Sequence, residues 1–167
     1  MKITLPLAAL VLSAPIAHAD ITARFIEGAP KDRFELVNDS ACALPPGVLT
    51  IDIGTAPAGL IFDVTASGAG VEVFQPFELV AGGDSLSALP RVADGDQAIA
   101  LPIAGLAPGA RIAFTIDVDD TGGGREITVS GSEMAGASVR ATLDGATYSA
   151  AFNETARARL DLPACGS

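Results

Sequence analysis

The sequence predicts an all-β protein, a single two-sheet antiparallel sandwich of immunoglobulin-like or jelly-roll type with about ten strands. Three observations carry that expectation. Short runs alternating apolar and polar residues recur along the chain, each bracketed by Gly, Pro, Asp or Asn. Helix-period patterns are hard to find. The pair Asp144-Gly145 is a two-residue type I′ hairpin signal between two such runs.

The chain opens with a secretory leader, residues 1–19. Lys2 is its charged start, Ile3 to Ile16 its apolar run, and Ala17-His18-Ala19 its small-residue cleavage box. The mature chain then begins at Asp20 and forms one domain, 20–167, long enough to bury a hydrophobic core. The expected strands, in order, are Ile21–Ile26, Arg33–Asn38, Val48–Ile53, Leu60–Thr65, Val71–Val80, Ala98–Ile103, Ala110–Val118, Arg125–Ser130, Ala137–Leu143, Ala146–Phe152 and Arg157–Leu162. Pro76 must sit at a bulge or edge of its run, because it has no N–H for a ladder. Around Asp144-Gly145, Leu143 should pair with Ala146, Ala141 with Tyr148 and Val139 with Ala150 on one face, and Thr142 with Thr147 and Arg140 with Ser149 on the other. In Ala110–Val118, period 2 turns Ile112, Phe114, Ile116 and Val118 inward and leaves Thr115 and Asp117 outward. The stretches Thr55–Gly59, Ala66–Gly70 and Ala81–Leu89 read as loops.

Cleavage removes Lys2 and His18, the only histidine. Nine basic side chains then face 20 acidic ones, and the formal charge moves from −10 to −11. Nucleic acid and anionic membrane are poor partners for such a surface. After the leader no run approaches the length of a membrane span, so the mature protein is expected to be secreted or periplasmic without membrane insertion. In an oxidising compartment Cys42 and Cys165 are expected to form one disulfide. Closing a loop of that size is worth about 4–5 kcal/mol in the chain-entropy picture.

The densest polar stretch is Asp117-Val118-Asp119-Asp120-Thr121-Gly122-Gly123-Gly124, a strand running into a glycine-rich turn. Asp117 and Asp119 share a face and Asp120 can swing toward them, a donor set suited to Ca²⁺, which takes several oxygens in irregular geometry. The competing reading is a solvated hairpin tip. An EF-hand does not fit, since Thr128 stands where the loop requires glutamate. A second acidic turn, Asp94-Gly95-Asp96, gives a weaker calcium signal. Asp117-x-Asp119-x-Thr121 also matches a phosphatase nucleophile motif, but no lysine follows Lys31 and no βα alternation surrounds it. Asp120-Thr121-Gly122 resembles the aspartic-protease triplet, though without a second copy. Without histidine or a GxSxG elbow, serine-hydrolase chemistry and structural zinc are disfavoured. Asn38-Asp39-Ser40 and Asn153-Glu154-Thr155 are glycosylation sequons. Phe74-Gln75-Pro76-Phe77 reads as core or as an exposed apolar patch.

Three segments together, Glu27–Phe34 (EGAPKDRF), Gly59–Phe77 (GLIFDVTASGAGVEVFQPF) and Phe114–Gly131 (FTIDVDDTGGGREITVSG), resemble small secreted bacterial proteins labelled "aggregation factor core", a name borrowed from the sponge adhesion complex. That resemblance implies an extracellular, calcium-linked adhesion or matrix role. The sequence therefore leads to a non-enzymatic exported sandwich acting in extracellular or cell-surface adhesion or interaction with a protein or glycan, with calcium as its one cofactor. Two alternatives stand beside it: a hydrolase using paired carboxylates of aspartic type with Asp120 participating, and a periplasmic structural subunit that adds a strand to a partner.

Overall fold

Where turn residues bracket an alternating run, the chain can bury one side of it and pair the backbone on either flank, and it does so repeatedly. The computed structural model describes residues 19–29, 31–67, 74–121 and 128–163. Within them lie ten strands: β1 (Ala19–Ile26), β2 (Asp32–Asn38), β3 (Gly47–Asp52), β4 (Leu60–Asp63), β5 (Glu78–Ala81), β6 (Ala98–Ile103), β7 (Arg111–Asp120), β8 (Ser138–Leu143), β9 (Ala146–Ala151) and β10 (Arg157–Leu162). A short 3-10 turn, Gly83–Ser85, is the one helical element among the described residues.

The strands form an all-β sandwich of two antiparallel sheets. One has the order β10-β1-β2-β7-β4, with β5 also on β7, and the other β6-β3-β8-β9. β7 organises the first sheet. β2 lines one flank of it from Arg111 to Ile116, while the opposite flank is shared by β5, against Ala113–Thr115, and β4, against Asp117–Asp120. All these pairings are antiparallel, so the helix-covered parallel sheet that the phosphatase motif would require is absent here and that match is accidental.

The inner faces meet in one apolar core. Ile21, Phe34, Leu36, Phe62, Ile112, Phe114 and Ile116 come from the first sheet, and Leu49, Ile51, Ile99, Leu101, Val139 and Ala141 from the second. Burying each large side chain contributes roughly 1.5–3 kcal/mol. Phe34 is the hub of the aromatic contacts, stacked on Phe114 at 5.3 Å and tilted against Phe25 at 5.1 Å. Phe77 packs on Phe114 at 4.9 Å, so that phenylalanine belongs to the core margin and not to an exposed patch.

The Asp144-Gly145 hairpin forms in the expected register, from Leu143↔Ala146 to Val139↔Ala150. Both turn residues have positive φ, 49° and 80°, as a type I′ turn requires. Three expected strands are shorter or missing. β4 stops at Asp63 because the Asp94 carboxylate takes the next two backbone N–H groups, Val64 and Thr65, at 3.0 and 3.1 Å. Of Val71–Val80, residues 71–73 lie outside the described residues and only β5 is strand. Ahead of it the chain runs past Pro76, and Gln75 bridges Asp63 and Asp117 by backbone bonds. Of Arg125–Ser130, residues 125–127 lie outside the described residues and 128–130 are not strand. There Ser130 and Glu133 cap a tight turn reciprocally. The Ser130 N–H donates to Glu133 Oε2 at 2.7 Å, and the Glu133 N–H donates to Ser130 Oγ at 3.4 Å.

The expected leader lies outside the described residues apart from Ala19, which opens β1 opposite Leu162. Cys165 lies outside them as well. Among the described residues no cysteine is a free thiol, and Cys42 Sγ sits 3.7 Å from Ser40 Oγ. No described helix is long and apolar enough to cross a membrane.

Candidate acidic site

Four elements bring aspartates to one corner of the first sheet. On β7, alternation puts Asp117 and Asp119 on the face opposite Ile116 and Val118. Beside them on β4, Asp63 stands directly across from Asp117, and Ile61 across from Asp119. The turn at Asp94-Gly95-Asp96 docks on the free flank of β4, where the Phe62 N–H donates to Asp96 O at 2.8 Å and the Gly95 N–H to Phe62 O at 2.9 Å. That docking carries Asp94 up to Asp63. Asp32 enters from the start of β2.

The sequence expected Asp117 to face outward into solvent. It does lie on the outer face, but that face is covered at this corner: Asp63 is 0% exposed, Asp117 6% and Asp119 2%. Desolvation is therefore the dominant force on these groups. Burial pushes the Asp63 carboxyl up to about 7, aided by the neighbouring Asp94 and Asp119 carboxyls. Burial likewise raises Asp117 to about 7, with Asp119, Asp32 and Asp63 adding repulsion. Asp32 also rises to about 7 through burial, although it accepts hydrogen bonds from the Gly28 and Val118 N–H groups, each at 3.1 Å. The Val118 bond does a ladder's work where β2 has ended.

Asp63 differs from Asp32 in having nothing of this kind. Both of its carboxyl oxygens are buried without a hydrogen-bond donor. Its close neighbours are other carboxyls, which bring lone pairs and no hydrogen when ionised. Among the described residues Lys31 pairs with Glu78 and Arg33 with Glu35. Such a corner can hold a proton near neutrality.

Of the expected calcium trio, Asp117 and Asp119 are brought together and Asp120 is not. Asp120 lies opposite Leu60, on the side of β7 that alternates with the acid corner. Gly122–Gly124 lie outside the described residues. Among the described residues no group of three or more His, Cys, Asp or Glu side chains is placed to hold a metal ion. Sequence reading missed Asp63 and Asp32 as members of the corner. Asp63 did carry a signal, an acid closing the apolar run Leu60-Ile61-Phe62, but its partner strand lies more than fifty residues away.

The two sequons differ sharply. Asn38 is fully buried, with Nδ2 donating to Cys42 O and Leu106 O at 2.9 and 2.8 Å and Oδ1 accepting from Ser40, so its amide is a structural clasp with no room for a glycan. Asn153 is exposed, and its Oδ1 accepts from the Thr155 and Arg157 N–H groups in a tight turn.

No family model matches this chain, and no curated protein does. Among solved structures, a family GH18 chitinase from Chromobacterium violaceum is similar at 19% identity with a TM-score of 0.37. The match covers 87% of this chain and 20% of that one, a likeness too slight to carry an argument.

Proposed function

We propose that this chain is an exported, non-enzymatic interaction module, a sandwich that acts by adhesion to an extracellular or cell-surface protein or glycan, with calcium assisting. The acid corner is the observation that supports this most. Buried carboxylates on paired strands are relieved by a proton or by a cation, and calcium in an extracellular setting would supply the latter. The resemblance to aggregation factor core proteins points the same way, and a Cys42–Cys165 bridge would suit an oxidising setting. Beads coated with the mature, oxidised protein should clump in millimolar calcium and disperse on adding EDTA. Beads that stay dispersed in both buffers would remove the adhesive role.

One observation favours a second reading. Asp63 and Asp117 face each other, and burial raises both carboxyls above the usual carboxylate range, so one proton could be shared between them as in aspartic-type hydrolysis. The participants would then be these two and not Asp120. Turnover of a peptide or glycoside substrate that vanishes in Asp117→Asn would establish it.

A further inference from the structure

We infer that the outer edge of β9 is a strand-pairing surface whose partner is a second copy of this chain, joined β9 to β9 about a two-fold axis at Ser149. The Leu143↔Ala146 pair closes a two-residue turn, so Ala146, Tyr148 and Ala150 bond to β8. The Phe152 N–H continues that pattern by donating to Ala137 O at 2.7 Å. Thr147, Ser149 and Ala151 therefore turn their N–H and C=O groups away from the sheet. All three are exposed, and no hydrogen bond among the described residues engages those backbone groups.

The other sheet edges are guarded. The 94–97 segment bonds along the free flank of β4, where Gln97 Nε2 donates to Leu60 O at 2.9 Å and the Phe62 N–H to Asp96 O at 2.8 Å. The 85–87 segment does the same for β6, with the Ser87 N–H donating to Pro102 O and the Ala104 N–H to Ser85 O, each at 2.9 Å. β5 is four residues long with a break in register, and β10 exposes the charges of Arg157, Arg159 and Asp161. Cover, brevity, irregularity and charge are the means by which sheets avoid edge-to-edge association. β9 has none of them: Ala146–Ala151 contains no charge and no proline, and its register on β8 is unbroken.

Symmetry and charge point to the occupant. An antiparallel match of β9 to itself must set outward residues against outward residues. Centring it on Ser149 lets Thr147 exchange both backbone bonds with Ala151 of the second copy, so every outward group is used and two four-stranded sheets become one. Tyr148 then lies beside Ala150 of the second copy, a large side chain against a small one, on the face packed toward the core. The chain carries a net charge of −10, so two copies repel over most of their surfaces, whereas β9 brings no carboxylate into the seam.

This inference goes beyond the reading above and does not depend on calcium. A two-fold pair is closed, so copies coupled to a bead as dimers have no β9 edge left to bridge beads, and the two readings fail separately. The test is sedimentation velocity of mature, oxidised protein in EDTA, from micromolar to near-millimolar concentration, with Ser149→Lys and Ser149→Pro run alongside. Proline at 149 gives up only the outward N–H, and the urea midpoint of each variant checks that the sandwich stays folded. The wild type is expected to pass from monomer to dimer as concentration rises, more readily in high salt because the copies are acidic, and both variants should weaken the dimer at least tenfold. A wild type that stays monomeric throughout would overturn the proposal and leave the edge to a foreign strand or to none. Dimers that persist unchanged in both variants would put the interface elsewhere and overturn it too.

Discussion

The two ends of β2 hold buried polar side chains in opposite states. At its end, the Asn38 amide donates to two carbonyls and accepts from Ser40, so its hydrogen-bonding capacity is filled from within the chain. At its start, next to Asp32, the Asp63 and Asp117 carboxylates meet without a donor for Asp63. A satisfied buried polar group stabilises and specifies a fold, whereas an unsatisfied one costs about 1–3 kcal/mol and persists where something else depends on it. The first end is architecture. The second is where function is to be sought.

Substitutions at the two ends should therefore change stability in opposite directions. Asn38→Ala removes the amide's bonds to the Cys42 and Leu106 carbonyls, which keep only those from the Ser40 hydroxyl and the Leu44 N–H, and should lower the unfolding free energy by about 1–3 kcal/mol in urea titration. In EDTA at pH 8, Asp63→Asn removes a buried charge and should raise stability by about 1–3 kcal/mol, a gain that would vanish if the carboxylate were well paired.

Acid should act through the same corner. Asp32, Asp63 and Asp117 move from 3.8 to about 7 on folding, so between those values the folded chain binds more protons than the unfolded one. Their contribution is full below about pH 4 and is lost as pH rises through about 7. In EDTA the melting midpoint should fall from pH 5 to pH 8, and the fall should be shallower in Asp63→Asn. A midpoint that rises over that range would contradict the raised pKa values. The smallest effect belongs to the hairpin. Thr142 and Thr147 approach at 3.3 Å on its exposed face, and Thr142→Ala should cost about 0.2–1 kcal/mol.

Local signals were legible and distant ones were not. Period 2 located β6 and β10 to the residue, and Asp144-Gly145 set the register of β8 on β9, because turn chemistry and alternation act within a few residues. Ser130-Gly131-Ser132-Glu133 carried an equally local capping box, and reading 125–130 as strand overlooked it. Asn38-Asp39-Ser40 read as a sequon because three residues cannot show that the amide is clasped by Leu106, sixty-eight positions away. The acid corner needed β4, the 94–96 turn and β7 to converge. Only the β7 residues, Asp117 and Asp119, were dense enough to notice in the sequence, which grouped them with Asp120 and could not see Asp63 across the β4–β7 pair.

The proposed role requires the folded protein to take up calcium. Its most direct test is the thermal midpoint of mature, oxidised protein at pH 8, in EDTA and then across a calcium titration with magnesium as control. A ligand that prefers the folded state raises the midpoint as it saturates. A saturable rise with calcium in the wild type, absent in Asp63→Asn, is the expected result. Equal midpoints in EDTA and millimolar calcium would contradict the claim and leave Asp63 and Asp117 as a proton-sharing pair.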